Sequence, residues 1–317
     1  MTTHSLRRHA LVPLAGLLGL IVTFGAPALT ATEQDDKVLF LTAVDQNGKS
    51  VTDLKTEEVL IREDNQEPQV VSVKRSTQPL AIVILADTTK QAGGGQMMGG
   101  SLGAASSSTT ASAELIRDIR VSVGSFVKDM TAGSPETEMQ IMEFGQAAVP
   151  ITKMTSNPAD LEKGVSRLFP KPNAASVLLE AIIDASKELA KTKTPRRIMV
   201  ALNIEPGDEQ SSPNVQKLHD ELVKARAGIW SVSLQVGTNK NAMRGLVLDR
   251  LTGNTGGRRE FIQSQSALEM VMKNFADNLL QQYEVTYKRA AGAKPRTVLV
   301  GVRRDSVKLY ANRIPPQ

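Results

Sequence analysis

The sequence predicts an α/β domain built on a doubly wound, mostly parallel sheet, with a small β module at its flank. Three observations predict it. Leu80–Ala86, LAIVILA, is an unbroken apolar run rich in β-branched residues, the pattern of a strand buried on both faces. After it, amphipathic helices and apolar strands alternate as far as residue 282, as a parallel sheet with helical crossovers requires. Short β-rich runs separated by turn residues occupy 32–78 and 283–317, and each set is too small to hold a core alone.

In chain order, Lys37–Val44 is an apolar run, Asn47-Gly48 is a turn signal, and Val59–Ile61 and Val70–Val73 are short β segments. Ala92–Ser112 follows the Leu80–Ala86 strand and is almost wholly Gly, Ala, Ser, Thr, Gln and Met, which reads as a flexible loop. Its glycines are followed by no Lys-Ser/Thr pair and lack the dinucleotide spacing, so a linker is favoured over a phosphate cradle. Glu114–Met130 is a helix with Leu115, Ile119, Val123, Phe126, Val127 and Met130 on one face. Glu138–Phe144 is a strand, and Ala147–Pro150 is an edge strand because Pro150 lacks a donor. Ser176–Lys191 is a second long helix and Arg197–Leu202 another buried strand. Ser212-Pro213 is a cap followed by Pro at the first helical position, opening a helix that ends at Gly228. Ile229–Val236 alternates as a half-buried strand does, and Ser266–Glu269 is a capping box opening a helix to about Gln282. Tyr283–Lys288, Thr297–Val302 and Ser306–Tyr310 close the chain as strands, which are expected to meet those of the N-terminal module in a small sandwich.

Residues 1–31 have the anatomy of a secretory signal. Arg7 and Arg8 precede the apolar stretch Ala10–Phe24, and small residues at Gly25–Ala31 allow cleavage after Ala28 or Ala31. The apolar stretch, interrupted by Pro13, is short of the roughly 20 residues that cross a bilayer. The product is expected to be exported, periplasmic or extracellular, with no integral membrane span after cleavage.

Of 317 residues, 38 are basic and 33 acidic, and removing the signal lowers the net charge from +5 to about +3. The basic pairs Arg196–Arg197, Arg258–Arg259 and Arg303–Arg304 are dispersed and aromatics are 3% of the chain, which argues against nucleic acid as a partner. With no cysteine, disulfides, thiolate metal sites and a cysteine nucleophile are excluded. His219 is the one histidine beyond the signal, and it lies in the solvated pattern LHDEL, so histidine-assisted nucleophilic catalysis is disfavoured.

At the end of the Leu80–Ala86 strand stand Asp87, Thr88 and Thr89. Ligands of open α/β sheets bind beyond the carboxyl ends of the strands, and hard cations prefer carboxylate and hydroxyl oxygens. Asp and Thr are also ordinary turn residues, so this triplet alone reads equally as a capped turn.

Four segments, in order, resemble the von Willebrand factor A domain, and among its members the secreted A-domain proteins of Acidobacteria. Val44–Val71 resembles a lead-in module, and Leu80–Thr89 the first strand with the start of the adhesion loop. Leu251–Phe261, LTGNTGGRREF, resembles the segment before the last strand, and Leu279–Tyr287 the exit from the final helix. The resemblance implies a metal-ion-dependent adhesion site that holds Mg²⁺ through an Asp-x-Ser-x-Ser loop, a Thr and a second Asp. Carried over residue by residue, Asp87 matches the first Asp, Thr89 the first Ser, and Ser176 the Thr. Gln91 replaces the second Ser and Ile204 the second Asp, leaving Glu205 or Asp208 as substitute acids. Loss of a carboxylate weakens cation affinity, so the expected state is an adhesion scaffold with a degenerate site.

The function expected is an exported, non-enzymatic binding or adhesion module. Its partner would be a protein or surface polymer, met through the loops around Asp87, Ser176 and Asn203 and the Ala92–Ser112 segment. The alternatives are an exported carboxylate hydrolase, which needs two facing acids, a nucleotide binder using the Gly-rich loop, where Lys90 is the one nearby cation, and a structural part of an envelope assembly.

Overall fold

The computed structural model describes residues 34–89, 104–171, 175–205, 209–211, 215–235 and 242–317. Its first strands are β1 (Gln34–Val44), β2 (Val59–Glu63), β3 (Val70–Arg75) and β4 (Leu80–Ala86). Helix α1 (Ala104–Gly133), strands β5 (Glu138–Phe144) and β6 (Ala148–Pro150), and helices α2 (Pro158–Ser166) and α3 (Leu178–Ala190) follow. Then come β7 (Arg196–Glu205), α4 (Val215–Ala225), β8 (Gly228–Gln235), α5 (Ala242–Thr255) and β9 (Arg259–Ile262). Helix α6 (Leu268–Leu280) leads into β10 (Tyr283–Ala290), β11 (Val298–Val302) and β12 (Lys308–Ala311).

The central sheet has the order β6-β5-β4-β7-β8-β9, parallel except where β6 runs antiparallel to β5 at the edge. Successive side chains of a strand point to opposite faces, and β4 uses both. Leu80, Ile82, Ile84 and Ala86 enter a core shared with α1, α2 and α6, whereas Ala81, Val83 and Leu85 enter one shared with α3, α4 and α5. Each large aliphatic side chain so buried contributes roughly 1.5–3 kcal/mol, which fixes β4 as the middle layer. Trp230 of β8 meets Phe275 of α6 edge to face at 5.0 Å.

Strands from both ends of the described chain build the flanking module. β12-β1-β10-β3 form one antiparallel sheet and β11-β2 a second, over a core that includes Leu41, Ile61, Tyr283, Val285 and Tyr287. Arg196 ties this module to the sheet: Nη2 donates to Leu279 O at 2.7 Å and Gln282 Oε1 at 3.1 Å, while Gln282 Nε2 donates to Thr42 Oγ1 at 3.1 Å. Burial lowers the Arg196 pKa to about 10.

The structure departs from the sequence reading at several elements. Helix α1 begins at Ala104 rather than near Glu114, since the Ala of the Ala/Ser/Thr tract is the strongest helix former; the remainder of the expected loop, 92–103, and the Ser212-Pro213 cap lie outside the described residues. Helix α3 opens at Leu178, two residues after Ser176, which pairs instead with Glu209 as an extended bridge. Ser266 does not cap α6: Gln265–Ala267 form a 3-10 turn ahead of it, and the Ser266 hydroxyl lies 2.7 Å from that of Ser264. Strand β8 is buried on both faces, because Ser231 and Ser233 meet buried polar partners instead of water. Helices α2 and α5 lie where apolar periodicity marks none. α2 is short, opened by the Asn157 side chain accepting from Ala159 N with Pro158 next. The inward positions of α5 include Arg244, Leu248, Thr252 and Thr255, so its buried stripe is mostly polar.

The TGG segment owes its composition to close approach of backbones. Gly256 has φ +74, and a Cβ on Gly257 would lie 1.7 Å from Ile229 O. Gly257→Ala is expected to cost about 1–3 kcal/mol or more, read in urea unfolding as a lower midpoint with an unchanged slope.

Candidate functional site

The parallel strands β4, β5, β7, β8 and β9 end at one edge of the sheet, and the site is built there. The β4–β7 ladder continues one residue beyond β4, with Asp87 N donating to Leu202 O at 3.0 Å, and this sets Asp87 against the end of β7. Asp87 is fully buried. Its Oδ1 accepts from Thr89 N at 3.0 Å and Thr89 Oγ1 at 2.5 Å, and its Oδ2 from Ile204 N at 3.1 Å. Burial raises its pKa above the ordinary carboxylate value, opposed by the donors of Thr89 and Ile204 and by the positive charge of Arg244. Beside it, Lys171 N donates to Thr88 O at 2.8 Å and Lys171 Nζ lies 2.9 Å from Glu143 Oε1.

Arg244, from the first turn of α5, is also fully buried. Its Nε donates to Glu209 Oε2 at 2.9 Å and its Nη1 to Ile204 O at 3.1 Å, with Glu205 Oε1 3.8 Å from the same Nη1. Glu209 in turn accepts from Ser176 Oγ at 3.4 Å and Ser211 N at 3.3 Å. Glu205 Oε1 accepts from Asn203 Nδ2 at 3.1 Å and lies 3.8 Å from Arg259 Nη2, while Glu205 Oε2 has no partner among the described residues. Asn203 Oδ1 accepts from Ser231 Oγ at 2.9 Å and Ser233 Oγ at 3.3 Å, and Arg259 donates to Ser233 Oγ through Nε at 3.2 Å. The carboxyl end of the sheet is therefore a buried polar network, satisfied largely from within.

Of the residues singled out in the sequence, Asp87 and Thr89 bond each other directly, and Ser176 is linked to them only through three further residues, Glu209, Arg244 and Ile204. Glu205 ends β7 near Arg244. Asn203, expected on a recognition loop, is a buried β7 residue. Asp208, Gln91 and Lys90 lie outside the described residues. Arg244 and Glu209 carry most of the network and were not legible: Arg244 sits at a core position of a helix that apolar periodicity does not mark, and Glu209 follows no recognised pattern.

A divalent ion such as Mg²⁺ requires about six oxygens in an octahedral array. The Arg244 guanidinium stands among the acids, bonded to Glu209 and to the Ile204 carbonyl, and Asp87 and Ser176 meet only through that chain of residues. Among the described residues no group of three His, Cys, Asp or Glu is placed to hold a metal. These residues do not fit such an ion.

Several large apolar side chains near this end of the sheet are exposed. Among the described residues, the large apolar side chains more than half exposed are Phe169 (55%), Leu246 (54%), Phe261 (55%) and Met270 (61%). All four lie at the site's end of the sheet. Phe169 is two residues before Lys171, Leu246 is in the first turns of α5, Phe261 is in β9, and Met270 is in the first turn of α6. The Arg259 guanidinium lies 4.4 Å from the centre of the Phe261 ring, and its Nη1 donates to Gly245 O at 2.7 Å, next to Leu246.

No protein-family profile matches the chain, and no curated protein matches it. Solved structures similar to it include a von Willebrand factor type A protein from Catenulispora acidiphila, at 9% identity and TM-score 0.48, covering 90% of this chain and 74% of that one. Proximal thread matrix protein 1 of the mussel byssus is similar at 12% identity and TM-score 0.48 over 66% of this chain, which spans about half (49%) of the mussel protein's length. The von Willebrand factor domain of the type V pili tip protein Mfa5 from Porphyromonas gingivalis is similar at 11% identity and TM-score 0.44, over 63% of this chain and 95% of that one.

The raised pKa of Asp87 has a consequence for stability. Between the unfolded value near 3.8 and the higher folded value, the native state holds more protons. The stability of the wild type relative to Asp87→Asn is expected to fall as pH rises through that window, then to level off above it. Urea unfolding at a series of pH values checks this; a difference that grows with pH would show a carboxylate favoured in its charged form.

Proposed function

We propose that the chain is an exported, non-enzymatic binding or adhesion module that meets a protein partner with the carboxyl end of its central sheet. The observation that carries this reading is the placement, at that one end, of the four large apolar residues most exposed among the described residues, Phe169, Leu246, Phe261 and Met270. Scattered single apolar residues on a surface need no explanation, but their concentration at one face of a protein is a mark of an interaction site. The sequence resemblance to the von Willebrand factor A domain, whose adhesion loop Leu80–Thr89 resembles, supports recognition at the same end. The N-terminal signal pattern supports export, and the lack of cysteine and the exposed setting of His219 beside Asp220 support a role without nucleophilic catalysis. Aromatic anchors paired with arginine, as Phe261 is with Arg259, are the residue types that dominate binding energy at protein interfaces.

The test is sedimentation of labelled 32–317 with envelope from the producing cells, before and after protease treatment of that envelope. Binding is expected, is expected to disappear with protease, and is expected to weaken at least tenfold in Leu246→Ser/Phe261→Ser, since two buried apolar side chains are worth roughly 3 kcal/mol or more together. Binding that survives protease would move the partner to a surface polymer, and equal binding by the variant would remove this face from the reading.

A further inference from the structure

We infer that Arg244 is a resident cation of this protein, a guanidinium built into the position among Glu205, Glu209 and the Asp87–Ile204 turn that would otherwise need a bound ion. The inference does not rest on what the exposed face binds. It rests on four observations. Arg244 is fully buried, and an arginine is almost never so unless paired. Its partners are the groups a hard cation takes, namely the Glu209 carboxylate at 2.9 Å, the Ile204 carbonyl at 3.1 Å and the Glu205 carboxylate at 3.8 Å. The same carbonyl's residue donates its N–H to Asp87 Oδ2, so the positive charge sits one peptide unit from the buried aspartate. Finally Glu205, a residue 4% exposed, has its Oε1 3.8 Å from both Arg244 Nη1 and Arg259 Nη2 and accepting from Asn203 Nδ2 at 3.1 Å, so guanidinium and amide donors face this buried acid.

The physical logic favours an arginine here. The carboxyl groups of Glu205, Glu209 and Asp87 are all buried in one neighbourhood, where like charges repel strongly unless positive charge stands among them. A divalent ion would supply it at the cost of dehydration and of dependence on its concentration. A guanidinium supplies it permanently, with fixed forked donors that suit carboxylates and carbonyls. It fills the space as well as the charge, so the wild-type site is closed to metal. Removing it leaves the carboxylates of Glu205 and Glu209, the Ser176 hydroxyl and the Ile204 carbonyl around a vacancy, which is a set of oxygens with the hardness Mn²⁺ and Mg²⁺ select.

The experiment is thermal unfolding of 32–317 and of Arg244→Ala, each with chelator, with Mg²⁺, with Mn²⁺ and with methylguanidinium, alongside Mn²⁺ titration followed by electron paramagnetic resonance. The wild-type midpoint is expected to be the same in all four conditions, with no Mn²⁺ bound. Arg244→Ala is expected to unfold several degrees lower in chelator and to recover part of that loss with Mn²⁺ or methylguanidinium, binding about one Mn²⁺. Adding Glu209→Gln to that variant is expected to abolish the Mn²⁺ signal. Should Arg244→Ala not fold in chelator, Arg244→Lys serves beside it, expected to fold without metal because an ammonium retains the charge. A wild-type midpoint raised by Mn²⁺ and returned by Asp87→Ala would overturn the inference in favour of a true metal site. A folded Arg244→Ala indifferent to every cation, or an Arg244→Lys that needs metal, would overturn it too. Loss of partner binding in Leu246→Ser/Phe261→Ser bears on none of these outcomes, so failure of the functional reading and failure of this one are told apart.

Discussion

Every part of this molecule is arranged around a strand that has no exposed side. β4 is buried along its whole length, and its alternate side chains supply two different cores. A strand so placed demands helices on both faces and neighbours on both edges, which β5 and β7 provide in parallel register. Parallel neighbours bring several strand ends to one edge, and there the chain has to leave a ladder with its last backbone groups unpaired. Asp87 sits at that exit, and its side chain takes up the amides that the ladder no longer pairs, those of Thr89 and Ile204. The polar character of the site begins as a requirement of the fold.

The fold was legible wherever burial and apolarity coincide. LAIVILA in β4, EMQIMEF in β5 and the inward stripe of α6 announce themselves by period, and the strands at both ends by their turns. The reading failed where polar residues take core positions. Arg244, Thr252 and Thr255 face inward from α5, and Ser231 and Ser233 from β8; a hydropathy pattern reads such residues as solvent-facing. Of these, Arg244, Ser231 and Ser233 belong to the hydrogen-bonded network at the sheet's carboxyl end, whereas Thr252 and Thr255 bond carbonyls of their own helix. Asp87, Thr89, Ser176 and Glu205 were accessible because a family resemblance and the end of a strong strand point to them. Arg244 and Glu209 were not, since their role exists only once two crossover segments are folded against the sheet.

Burying so much charge has a thermodynamic character of its own. A buried ion pair often stabilises no more than an apolar replacement of the same shape, but breaking it by removing one partner is severely costly. A packing of α5 slipped by one turn would part the buried Arg244 guanidinium from Glu209, Glu205 and the Ile204 carbonyl. The exposed apolar residues above them gain from this, because Leu246 and Phe261 are carried on α5 and β9, the two elements that Arg259 joins through Gly245 O and Asp249.

The pairing of β1 with both β10 and β12 also governs the order of assembly. Leu41 of β1 lies opposite Tyr283 on one side and Ala311 on the other. A chain that emerges amino end first must carry β1 as a lone strand until nearly all of the remaining sequence has appeared. The central sheet closes with contacts nearer in sequence and can form while β1 waits, but the flanking module cannot. Without β10 and β12, β1 would have a neighbour on neither side, the form of edge that recruits other chains. β10 and β12 are thus the strands that cover the two edges of β1.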